Sequence, residues 1–438
     1  MRIVMLSGGS GIGLWPLSNE IRSKQFIKIF RTQTGEYESM LQRVYRQIKG
    51  IYPEAEILIA TSSAQAAIIR NQLGESVDIS IEPMRSNTFP AMVLASVYIR
   101  DLLNGDEEEP IVFCPVDCWV EDGFFETFSK LEEIVRDNKT ELALVGTPAL
   151  HPSENYGYVI PEEKVENTKA DKFIEKPDSA FAKELIDKGA LWNCGVYCCK
   201  IAYLVKKAHA YFDFKDYYSL YQDYNGLPAK SFDREVSEKE SGIAVICYDG
   251  TWNDLGTWDT LAETTDNAAF GEVQTDQLTE DTYILNELGI PMLVMGTKDL
   301  IVTAASDGIL VADKNRVSEI KPLIGSAERM IRYAEKSWGN FRIIDVGDGS
   351  ITAKVQVRSG MRMSYHSHKH RDEMWVIVSG KGRTIVDGME QIVKPGDVVT
   401  MQAGCRHTII ADSEIELIEV QMGKEISVHD KKKYALGS

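Results

Sequence analysis

Two groups of polar residues in this sequence have the types and the spacing that chemistry needs. The first lies in LSGGSGIGLWPLS, residues 6–18, directly behind an apolar segment that predicts a strand. Small residues let backbone N–H groups approach phosphate oxygens closely, and a following helix terminus adds a favourable dipole. The stretch matches neither the P-loop pattern nor the spacing of a dinucleotide fingerprint. We therefore predict a phosphate-binding turn, with a plain glycine turn as the alternative.

The second group consists of three histidines and one glutamate near the C-terminus, namely His366, His368, Glu373 and His407. Residues two apart on a strand face the same side, so the first two histidines can share one site. Three imidazoles and one carboxylate suit Zn, Mn, Fe or Ni, with positions left open for a ligand. We predict a transition-metal site here. The alternative is a set of surface or core histidines that binds no metal.

The hydrophobic pattern predicts the elements that position the first group. The apolar runs RIVML, EILIA, IVFCPV and LALVG predict buried strands, and residues 90–103 predict a helix between two of them. Strand–helix alternation indicates an α/β fold with a mostly parallel sheet and helices on both faces. Ligands of such sheets bind beyond the carboxyl ends of the strands. Because the glycine-rich stretch and Asp117 both follow predicted strands, we expect them to converge at that edge.

The chain of 438 residues is too long for one ordinary core, and its pattern changes along its length. We predict an α/β domain over residues 1–262, a β-rich connector over 263–330, and a sandwich or barrel of short strands over 331–438.

Composition argues against several classes of function. The formal net charge of −18 argues against a basic face for nucleic acid. Because no apolar run is long enough to cross a bilayer, we expect no transmembrane helix, and the N-terminus shows no signal-peptide pattern. Seven scattered cysteines, an odd number, suit a reduced cytoplasmic protein. The sequence leaves the oligomeric state open, with a homodimer among the alternatives.

Eight motifs in order along the first part of the chain resemble those of sugar-phosphate nucleotidyltransferases, and most closely those of bacterial mannose-1-phosphate guanylyltransferases. They are GGSGIGLWPLS with KQF (8–18, 24–26), EPMRSNTFPA (82–91), PVDCW (115–119), NYGYVIP (155–161), FIEKP (173–177), WNCGVY (192–197), SFDREVSEK (231–239) and WNDLGTW (252–258). The resemblance implies a Rossmann-like, GT-A-like domain that joins a nucleoside triphosphate to a sugar 1-phosphate and releases pyrophosphate. GTP and mannose 1-phosphate would give GDP-mannose for polysaccharide assembly.

The resemblance also implies roles for individual residues. Asp117 and Asp254 would hold Mg²⁺, a hard cation that prefers carboxylate oxygen, and Lys24 would contact the triphosphate. The alternative for the two aspartates is a turn or capping role. Nucleotide binding would use Lys24 with Leu6, Gly8, Gly9, Ser10, Gly11, Gly13, Glu82, Arg85, Asn87 and Thr88. The sugar phosphate would contact Gly157, Glu175, Lys176, Asn193, Asp233 and Lys239.

Two residues depart from the family pattern. The loop arginine of the family is Gly13 here, and the histidine after the first metal aspartate is Cys118. Three interpretations stay open. In the first, another cation, such as Arg22 or Arg85, takes over the phosphate contact of the missing arginine. In the second, the nucleotide is CTP or UTP, or the acceptor is another phosphorylated compound. In the third, the domain is a degenerate regulatory protein that holds nucleotide sugar.

The C-terminal group resembles the two cupin motifs, which implies a cupin β-barrel. SWGNF (337–341) and HRDEMWVIVSGKG (370–382) also resemble the phosphomannose isomerase half of bifunctional enzymes. That family has glutamine at the position of His366, and no arginine follows Arg406 in this chain. The tail offers only lysines, among them Lys431, Lys432 and Lys433, as cations for a phosphate. Isomerase activity therefore stays open beside a sensor or a structural role.

Overall fold

The computed structural model describes residues 1–9, 12–19, 21–32, 34–163, 165, 167–264, 269–324, 330–424, 426–427 and 430–435. The chain divides into two compact units, Met1–Gly11 with Ser23–Asp266, and Ile12–Arg22 with Asn267–Ser438. The finer division into domains 1–262, 263–330 and 331–438 stays a prediction. Within the described residues, no helix is long and apolar enough to cross a membrane.

The first unit alternates strands with helices through most of its length. Its described strands are β1 (Arg2–Leu6), β2 (Phe30–Arg31), β3 (Tyr37–Glu38), β4 (Glu56–Ser62), β5 (Asp78–Glu82), β6 (Pro110–Pro115), β7 (Cys118–Val120), β8 (Leu142–Pro148), β9 (Gly157–Pro161), β10 (Asn167–Glu175), β11 (Leu191–Lys200), β12 (Ala244–Cys247) and β13 (Trp252–Asp254). Its helices are α1 (Met40–Ile51), α2 (Ala66–Leu73), α3 (Thr88–Leu102), α4 (Thr127–Arg136), α5 (Ser179–Asp187), α6 (Ile201–His209), α7 (Tyr217–Gln222), α8 (Phe232–Glu235) and α9 (Trp258–Thr264).

Nine of these strands form one sheet in the order β5-β4-β1-β6-β11-β8-β12-β10-β9. Its pairings place seven strands in one direction and reverse β10 and β11. The predicted α/β fold with a mostly parallel sheet is confirmed. The carboxyl ends of β1, β4, β5 and β6 consequently share one edge, where the polar motifs follow.

Alternation along the strands divides the apolar core between the two faces of this sheet. In β1, Ile3 and Met5 pack in a cluster with residues of α1, α2 and α4, whereas Val4 packs in a second cluster with α3 and α6. Successive strand residues face opposite sides, so helices on both faces bury the middle residues of a central strand such as β1. The rigid sheet edge that results carries the residues of the site.

The second unit is rich in strands. They are β14 (Ala269–Phe270), β15 (Val273–Thr275), β16 (Tyr283–Asn286), β17 (Met292–Val294), β18 (Leu300–Ala305), β19 (Gly308–Asp313), β20 (Tyr333–Lys336), β21 (Gly339–Gly347), β22 (Ser350–Val357), β23 (His366–Ser367), β24 (Asp372–Ser379), β25 (Gly382–Val386), β26 (Met389–Val393), β27 (Val398–Met401), β28 (His407–Ala411), β29 (Ile415–Met422) and β30 (Lys432–Lys433), with one helix α10 (Ile320–Ile324) in its described part.

Two sheets of the second unit enclose one apolar core. A six-stranded sheet has the order β20-β21-β22-β29-β24-β27, and a five-stranded sheet has the order β26-β25-β28-β23-β30. Val355, Trp375 and Leu417 of the first sheet pack in the same buried cluster as Val393 and Ile409 of the second. The predicted C-terminal barrel of the cupin type is confirmed.

The segment Ile12–Arg22, which continues the glycine-rich stretch, packs in the second unit. The guanidinium of Arg22 donates two hydrogen bonds of 2.8 Å to the carboxylate of Glu287. The amide of Asn19 donates a 2.6 Å hydrogen bond to Asp307. These partners lie far away along the chain, so no local pattern in the sequence indicates them. Gly13 itself lies in a 3-10 turn, Ile12–Leu14.

Candidate functional site

A lysine between two aspartates lies at the edge where the parallel strands end. Nζ of Lys24 is 2.8 Å from Oδ2 of Asp117 and 3.8 Å from Oδ1 of Asp254. The side chain of the lysine is 13% exposed, whereas those of the aspartates are 38% and 40% exposed. The structure therefore brings together the three residues predicted to be catalytic, and both carboxylates stay accessible from solvent.

Backbone pairing holds the two aspartates beside each other. Asp117 follows the end of β6, and the next strand, β7, pairs with β13 so that Cys118 lies opposite Asp254. The N–H of Leu255 donates a 3.1 Å hydrogen bond to the carbonyl of Asp117. Lys24 begins a 3-10 turn whose next residues, Gln25 and Phe26, are buried. Three residues far apart in sequence are thus positioned by rigid elements.

The charges of this trio stabilise one another. Burial would lower the pKa of Lys24, but the two carboxylates outweigh it and raise that pKa. Burial would raise the pKa of Asp117, but the charge and the hydrogen bond of Lys24 lower it. An ammonium beside a carboxylate favours the charged form of each. One cation between two carboxylates still leaves an excess of negative charge, which a further cation would offset.

The space around this trio fits Mg²⁺. Carboxylate oxygens are its preferred protein ligands, and it is usually held by one or two of them, with waters and substrate phosphates as further ligands. A Cβ atom at Gly256 would lie 3.3 Å from Oδ1 and 3.4 Å from Oδ2 of Asp254, so the glycine keeps the space beside that carboxylate clear. The donor set and this clearance agree with the predicted magnesium site.

The glycine-rich loop leaves β1 next to Lys24. Leu6 ends the strand, and Gly8 and Gly9 follow it as exposed residues. The carbonyl of Gly9 accepts hydrogen bonds of 3.1 Å from the hydroxyl of Ser23 and from the side-chain amide of Gln65. The loop is therefore tied to the residue that precedes Lys24. The predicted positions Ser10 and Gly11 lie outside the described residues.

Glu82, the last residue of β5, faces this loop. A Cβ atom at Gly8 would lie 3.5 Å from Oε1 of Glu82, and the hydroxyl of Tyr224 donates a 2.7 Å hydrogen bond to its Oε2. Burial raises the pKa of Glu82, and Tyr224 and the charge of Arg85 only partly oppose this. The buried carboxylate is thus oriented by a tyrosine that the motifs did not single out. Arg85 is exposed nearby.

Asn87 and Thr88 form the start of α3 at the same edge. The side chain of Asn87 caps the helix by accepting a 2.9 Å hydrogen bond from the N–H of Thr88. The hydroxyl of Thr88 accepts a 2.8 Å hydrogen bond from the N–H of Phe232. Both side chains therefore have structural partners, and their predicted contact with the nucleotide stays a prediction.

The two departures from the family pattern have different structural settings. Cys118 is 4% exposed, and burial raises the pKa of its thiol far above the usual range, so it belongs to the core and offers no charged donor. Gly13 lies in the turn of the second unit. Of the two cations considered as replacements for the missing arginine, Arg22 is already bound by Glu287.

The predicted sugar side forms a compact cluster on β9, β10 and β11. A Cβ atom at Gly157 would lie 2.8 Å from Oε2 of Glu175, 3.0 Å from Cζ of Phe173 and 3.5 Å from Cβ of Asn193. Only glycine at position 157 leaves Glu175 in this place. Burial and the nearby charge of Asp233 raise the pKa of Glu175, although Lys176, with Nζ 3.3 Å from Oε1, opposes them.

A buried hydrogen-bond network supports this cluster. The amide of Asn193 donates to the hydroxyl of Tyr197 at 2.5 Å and to Oδ1 of Asp233 at 2.9 Å, and Tyr197 also donates to Asp233. Burial raises the pKa of Asp233. Lys239, predicted to act together with Asp233, forms its ion pair with Glu235 instead, at 2.5 Å.

In the second unit, the four predicted metal ligands come together. One ligand atom from each of His366, His368, Glu373 and His407 lies within 4.8 Å of the others, and all four residues are buried. The first histidine stands opposite the last across the pair of β23 and β28. Glu373 reaches the cluster from β24 of the other sheet. The barrel therefore brings together three ligands from β23, β24 and β28, and a fourth, His368, from the position directly after β23.

Each histidine of this cluster has one ring nitrogen bound to a backbone carbonyl. Nδ1 of His366 lies 2.6 Å from the oxygen of Ser364, and Nδ1 of His407 lies 3.0 Å from that of Cys405. Nδ1 of His368 is bound to the oxygen of Asp430. A carbonyl only accepts, so Nδ1 carries the hydrogen and Nε2 has a lone pair. In His368 this lone pair accepts a 3.0 Å hydrogen bond from Nη2 of Arg371, which a metal ion would displace.

The electrostatics of the cluster also suit a metal. Burial lowers the pKa of His366 to about 2 and that of His368 to about 4, so both imidazoles are neutral at pH 7. Burial would raise the pKa of Glu373, but its neighbours His407, His368 and Arg371 outweigh it and lower that pKa to about 2. Neutral imidazoles and an ionised carboxylate are the forms that bind metal ions.

Two ligand atoms of the cluster are buried without a hydrogen-bond partner. Oε2 of Glu373 and Nε2 of His407 lie 3.2 Å apart, but their geometry is not that of a hydrogen bond. A buried polar atom left unpaired is costly, and a bound cation would satisfy both atoms. The residues present therefore fit a transition metal, and the predicted set of ligands agrees with this geometry.

Comparisons with known proteins agree with this division of the chain. Residues 2–269 match a family model described as nucleotidyl transferase, and residues 326–434 match one described as mannose-6-phosphate isomerase C-terminal.

Relatives match along nearly the whole chain. The mannose-1-phosphate guanylyltransferase of Escherichia coli is 26% identical, over 99% of this chain and 97% of its own length. The alginate biosynthesis protein AlgA of Pseudomonas aeruginosa is 27% identical, over 98% of this chain and 95% of its own length. A crystal structure from Thermus thermophilus, named mannose-1-phosphate geranyltransferase, has a TM-score of 0.62 at 24% identity and covers 74% of this chain and 98% of its own, which supports the fold.

The lowered histidine pKa values predict how protons accompany metal binding. His366 and His368 are neutral well above pH 4, so lowering the pH from 8 to 6 protonates neither, and Zn²⁺ displaces no proton from them. At pH 6.5, three imidazoles of ordinary pKa would together release about 1.5 protons. We expect fewer than one proton per Zn²⁺, measured by calorimetry at pH 6.5 in two buffers of different ionisation enthalpy.

The double variant His366→Ala with His407→Ala is the control for this measurement, and it should lose the Zn²⁺ site of the barrel. Release of 1.5 or more protons per Zn²⁺ from the wild type would contradict the lowered pKa values.

Proposed function

Because this chain belongs to the nucleotidyl transferase family, we propose that it transfers a nucleotidyl group from GTP to mannose 1-phosphate, which forms GDP-mannose and pyrophosphate. The observation that carries the proposal is the Asp117–Lys24–Asp254 trio at the sheet edge. The choice of substrates rests on the relatives named mannose-1-phosphate guanylyltransferase. AlgA, named for alginate biosynthesis, suggests that the product serves polysaccharide assembly.

The reaction brings two anions together. A phosphate oxygen of the sugar phosphate attacks the α-phosphorus of the nucleoside triphosphate. The new P–O bond forms as the bond from the α-phosphorus to the oxygen that bridges to the β-phosphate breaks, and pyrophosphate leaves. Catalysis of this kind rests on positioning and on neutralisation of charge. Magnesium, held by Asp117 and Asp254, would supply positive charge at the α-phosphate. Lys24, which is protonated and fixed between those carboxylates, provides a second cation at the same edge.

The residues of the sugar side orient the acceptor. The carboxylate of Glu175 accepts hydrogen bonds from sugar hydroxyls, and Gly157 keeps the space beside it open. Lys176 provides the cation next to this carboxylate that pairs with the sugar phosphate. Asn193 is held by Asp233 and Tyr197, so its amide keeps one orientation. A network whose members are all hydrogen-bonded positions substrate more precisely than free side chains do.

On the nucleotide side, the buried carboxylate of Glu82 offers an acceptor for the N–H groups of guanine, and Tyr224 orients it. We assign the role of the family's loop arginine to Arg85, which is exposed near Glu82. Gly13 and Cys118 keep CTP or UTP, or another phosphorylated acceptor, as alternatives. A degenerate protein that only binds nucleotide sugar is the alternative of a different class, and the complete Asp117–Lys24–Asp254 trio speaks against it.

For the second unit we propose a bound transition metal (Zn, Mn, Fe or Ni) and, as a second candidate activity, sugar-phosphate isomerisation. Burial and the charge of Glu373 raise the pKa of Glu419 to about 7, which suits a group that exchanges protons at neutral pH. Lys431 is exposed, but the protein around its ammonium group lowers its pKa to about 8 in spite of nearby Glu419 and Glu373. These two groups supply the acid–base residue and the cation that such a reaction needs.

The substrate proposal is tested by measuring pyrophosphate release in Mg²⁺ from each of GTP, ATP, CTP and UTP, paired with mannose 1-phosphate or glucose 1-phosphate. We expect the fastest release from GTP with mannose 1-phosphate. Because the carboxylates hold the metal, Asp117→Asn with Asp254→Asn should lower the rate at least about 100-fold. Release only with CTP or UTP would overturn the guanylyl assignment, and no release from any pair would overturn the enzymatic function.

Replacement of Gly157 by alanine tests the sugar side. The new Cβ atom would lie 2.8 Å from the Glu175 carboxylate and 3.0 Å from Phe173, so the carboxylate must move away from its place. Loss of one hydrogen bond to the sugar corresponds to roughly a tenfold rise in KM for the sugar phosphate, with KM for the nucleotide unchanged. Steady-state kinetics with each substrate varied in turn provide the measurement.

Gly123→Ala is the matched control, because no atom lies within 4 Å of a Cβ built there. It should leave both KM values unchanged. Equal effects of the two replacements, or an effect of Gly157→Ala on the nucleotide alone, would contradict the assignment of the sugar side.

A further inference from the structure

Ser427 and residues 430–434, called here the tail strap, include β30, which pairs with the strand that carries the first histidine of the metal cluster. In its described part, β30 pairs with β23 through two residue pairs, His366 with Lys433 and Ser367 with Lys432. Among the described residues, β23 otherwise pairs only with β28, through the single pair of His366 with His407. The N–H of Tyr434 also donates a 2.9 Å hydrogen bond to the carbonyl of Tyr365. The tail strap therefore supplies most of the pairing of this short strand.

Asp430 fixes the tail strap to the residues that follow the strand. Its Oδ1 accepts a 2.9 Å hydrogen bond from the N–H of Lys369, and its Oδ2 accepts one of 2.8 Å from the N–H of His370. Its backbone carbonyl accepts the hydrogen of Nδ1 of His368. One residue of the tail thus uses three oxygens to hold His368 and its two neighbours.

The three histidines of the cluster differ in which residue provides the carbonyl that accepts the hydrogen of Nδ1. For His366 and His407 it belongs to the residue two positions earlier, Ser364 and Cys405. For His368 it comes from Asp430, 62 residues later in the chain. The partner of the second ring nitrogen sets the tautomer and the direction of the ligating nitrogen. Among the three, His368 is consequently the histidine whose orientation depends on the tail.

The tail strap reaches the cluster by a second route through Arg371. The guanidinium donates a 3.0 Å hydrogen bond to the carbonyl of Ser427 and a 2.8 Å hydrogen bond to Oε1 of Glu373. Its Nη2 lies 3.0 Å from Nε2 of His368. Two of the four ligands, His368 and Glu373, are therefore in contact with groups that the tail holds.

We propose that the tail strap is a positioning element of the metal site: through Asp430 it holds His368 in the tautomer and the orientation that bind the metal, so that metal affinity depends on the docked tail strap. The inference rests on the transition-metal site proposed above. A ligand or a modification that lifts the tail would release the metal.

Titration of the full-length protein with Co²⁺, followed by calorimetry and by visible absorption, tests this inference. Asp430→Ala removes the two side-chain hydrogen bonds that hold residue 430 and so loosens the carbonyl that binds His368. Loss of such an outer contact typically weakens metal binding about 10- to 100-fold. Asp430→Asn keeps one of the two acceptors and should give an intermediate affinity. At saturating Co²⁺, Asp430→Ala should also change the absorption of the bound ion, because His368 no longer keeps its orientation.

Asp397→Ala is the matched control, because Asp397 likewise caps a backbone N–H, that of Lys394 at 2.8 Å, in the turn between β26 and β27. It should bind Co²⁺ like the wild type. Wild-type affinity and absorption in both Asp430 variants would overturn the role of the tail and leave the metal site standing. Failure of the wild-type protein to bind Co²⁺ would overturn the metal site itself, and the inference with it.

Discussion

The ion pair of Lys24 with Asp117, with Asp254 beside it, is the constraint on which the first unit depends. Two carboxylates at one sheet edge repel each other, and a cation between them offsets that repulsion. Lys24 provides this cation with Nζ 2.8 Å from one carboxylate and 3.8 Å from the other. The 3-10 turn that begins with Lys24, the end of β6 and the β7–β13 pair must therefore all lie at this edge. The parallel sheet places them there, because its strands end at the same side.

Both candidate sites hold several ionisable groups close together, and each stabilises them in a different way. In the first unit, charged groups remain partly exposed, and substrate and magnesium would complete their neutralisation. In the second unit the ligands are buried, so burial itself keeps His366 and His368 neutral, and cationic neighbours keep Glu373 ionised. Buried polar groups of this kind hold one geometry only when hydrogen bonds fix them, which explains the carbonyl bound to each imidazole.

Residue types and motif spacing predicted much of this architecture. The alternation of strands with helices predicted the α/β sheet, and the close spacing of short strands predicted the barrel. The family resemblance implied the roles of Lys24, Asp117 and Asp254, and residue types and spacing predicted the histidine–glutamate cluster. The orienting residues Tyr224 and Asp430 were missed, because their partners Glu82 and His368 are far away in sequence and no periodicity reports such pairs. The ion pair of Lys239 with Glu235, four residues earlier, was missed for another reason. The family resemblance had assigned Lys239 a role in binding the substrate.

The binding of Mn²⁺, a spectroscopic substitute for Mg²⁺, shows whether Asp117 and Asp254 hold a metal ion. The variant His366→Ala with His407→Ala serves as the parent, because it removes the metal site of the barrel. Electron paramagnetic resonance then measures free Mn²⁺ for the parent and for the parent carrying Asp254→Asn. The added substitution should remove one bound Mn²⁺ per chain while the fold is retained. Equal binding by both proteins would contradict the assignment of Asp117 and Asp254 as the metal-binding pair.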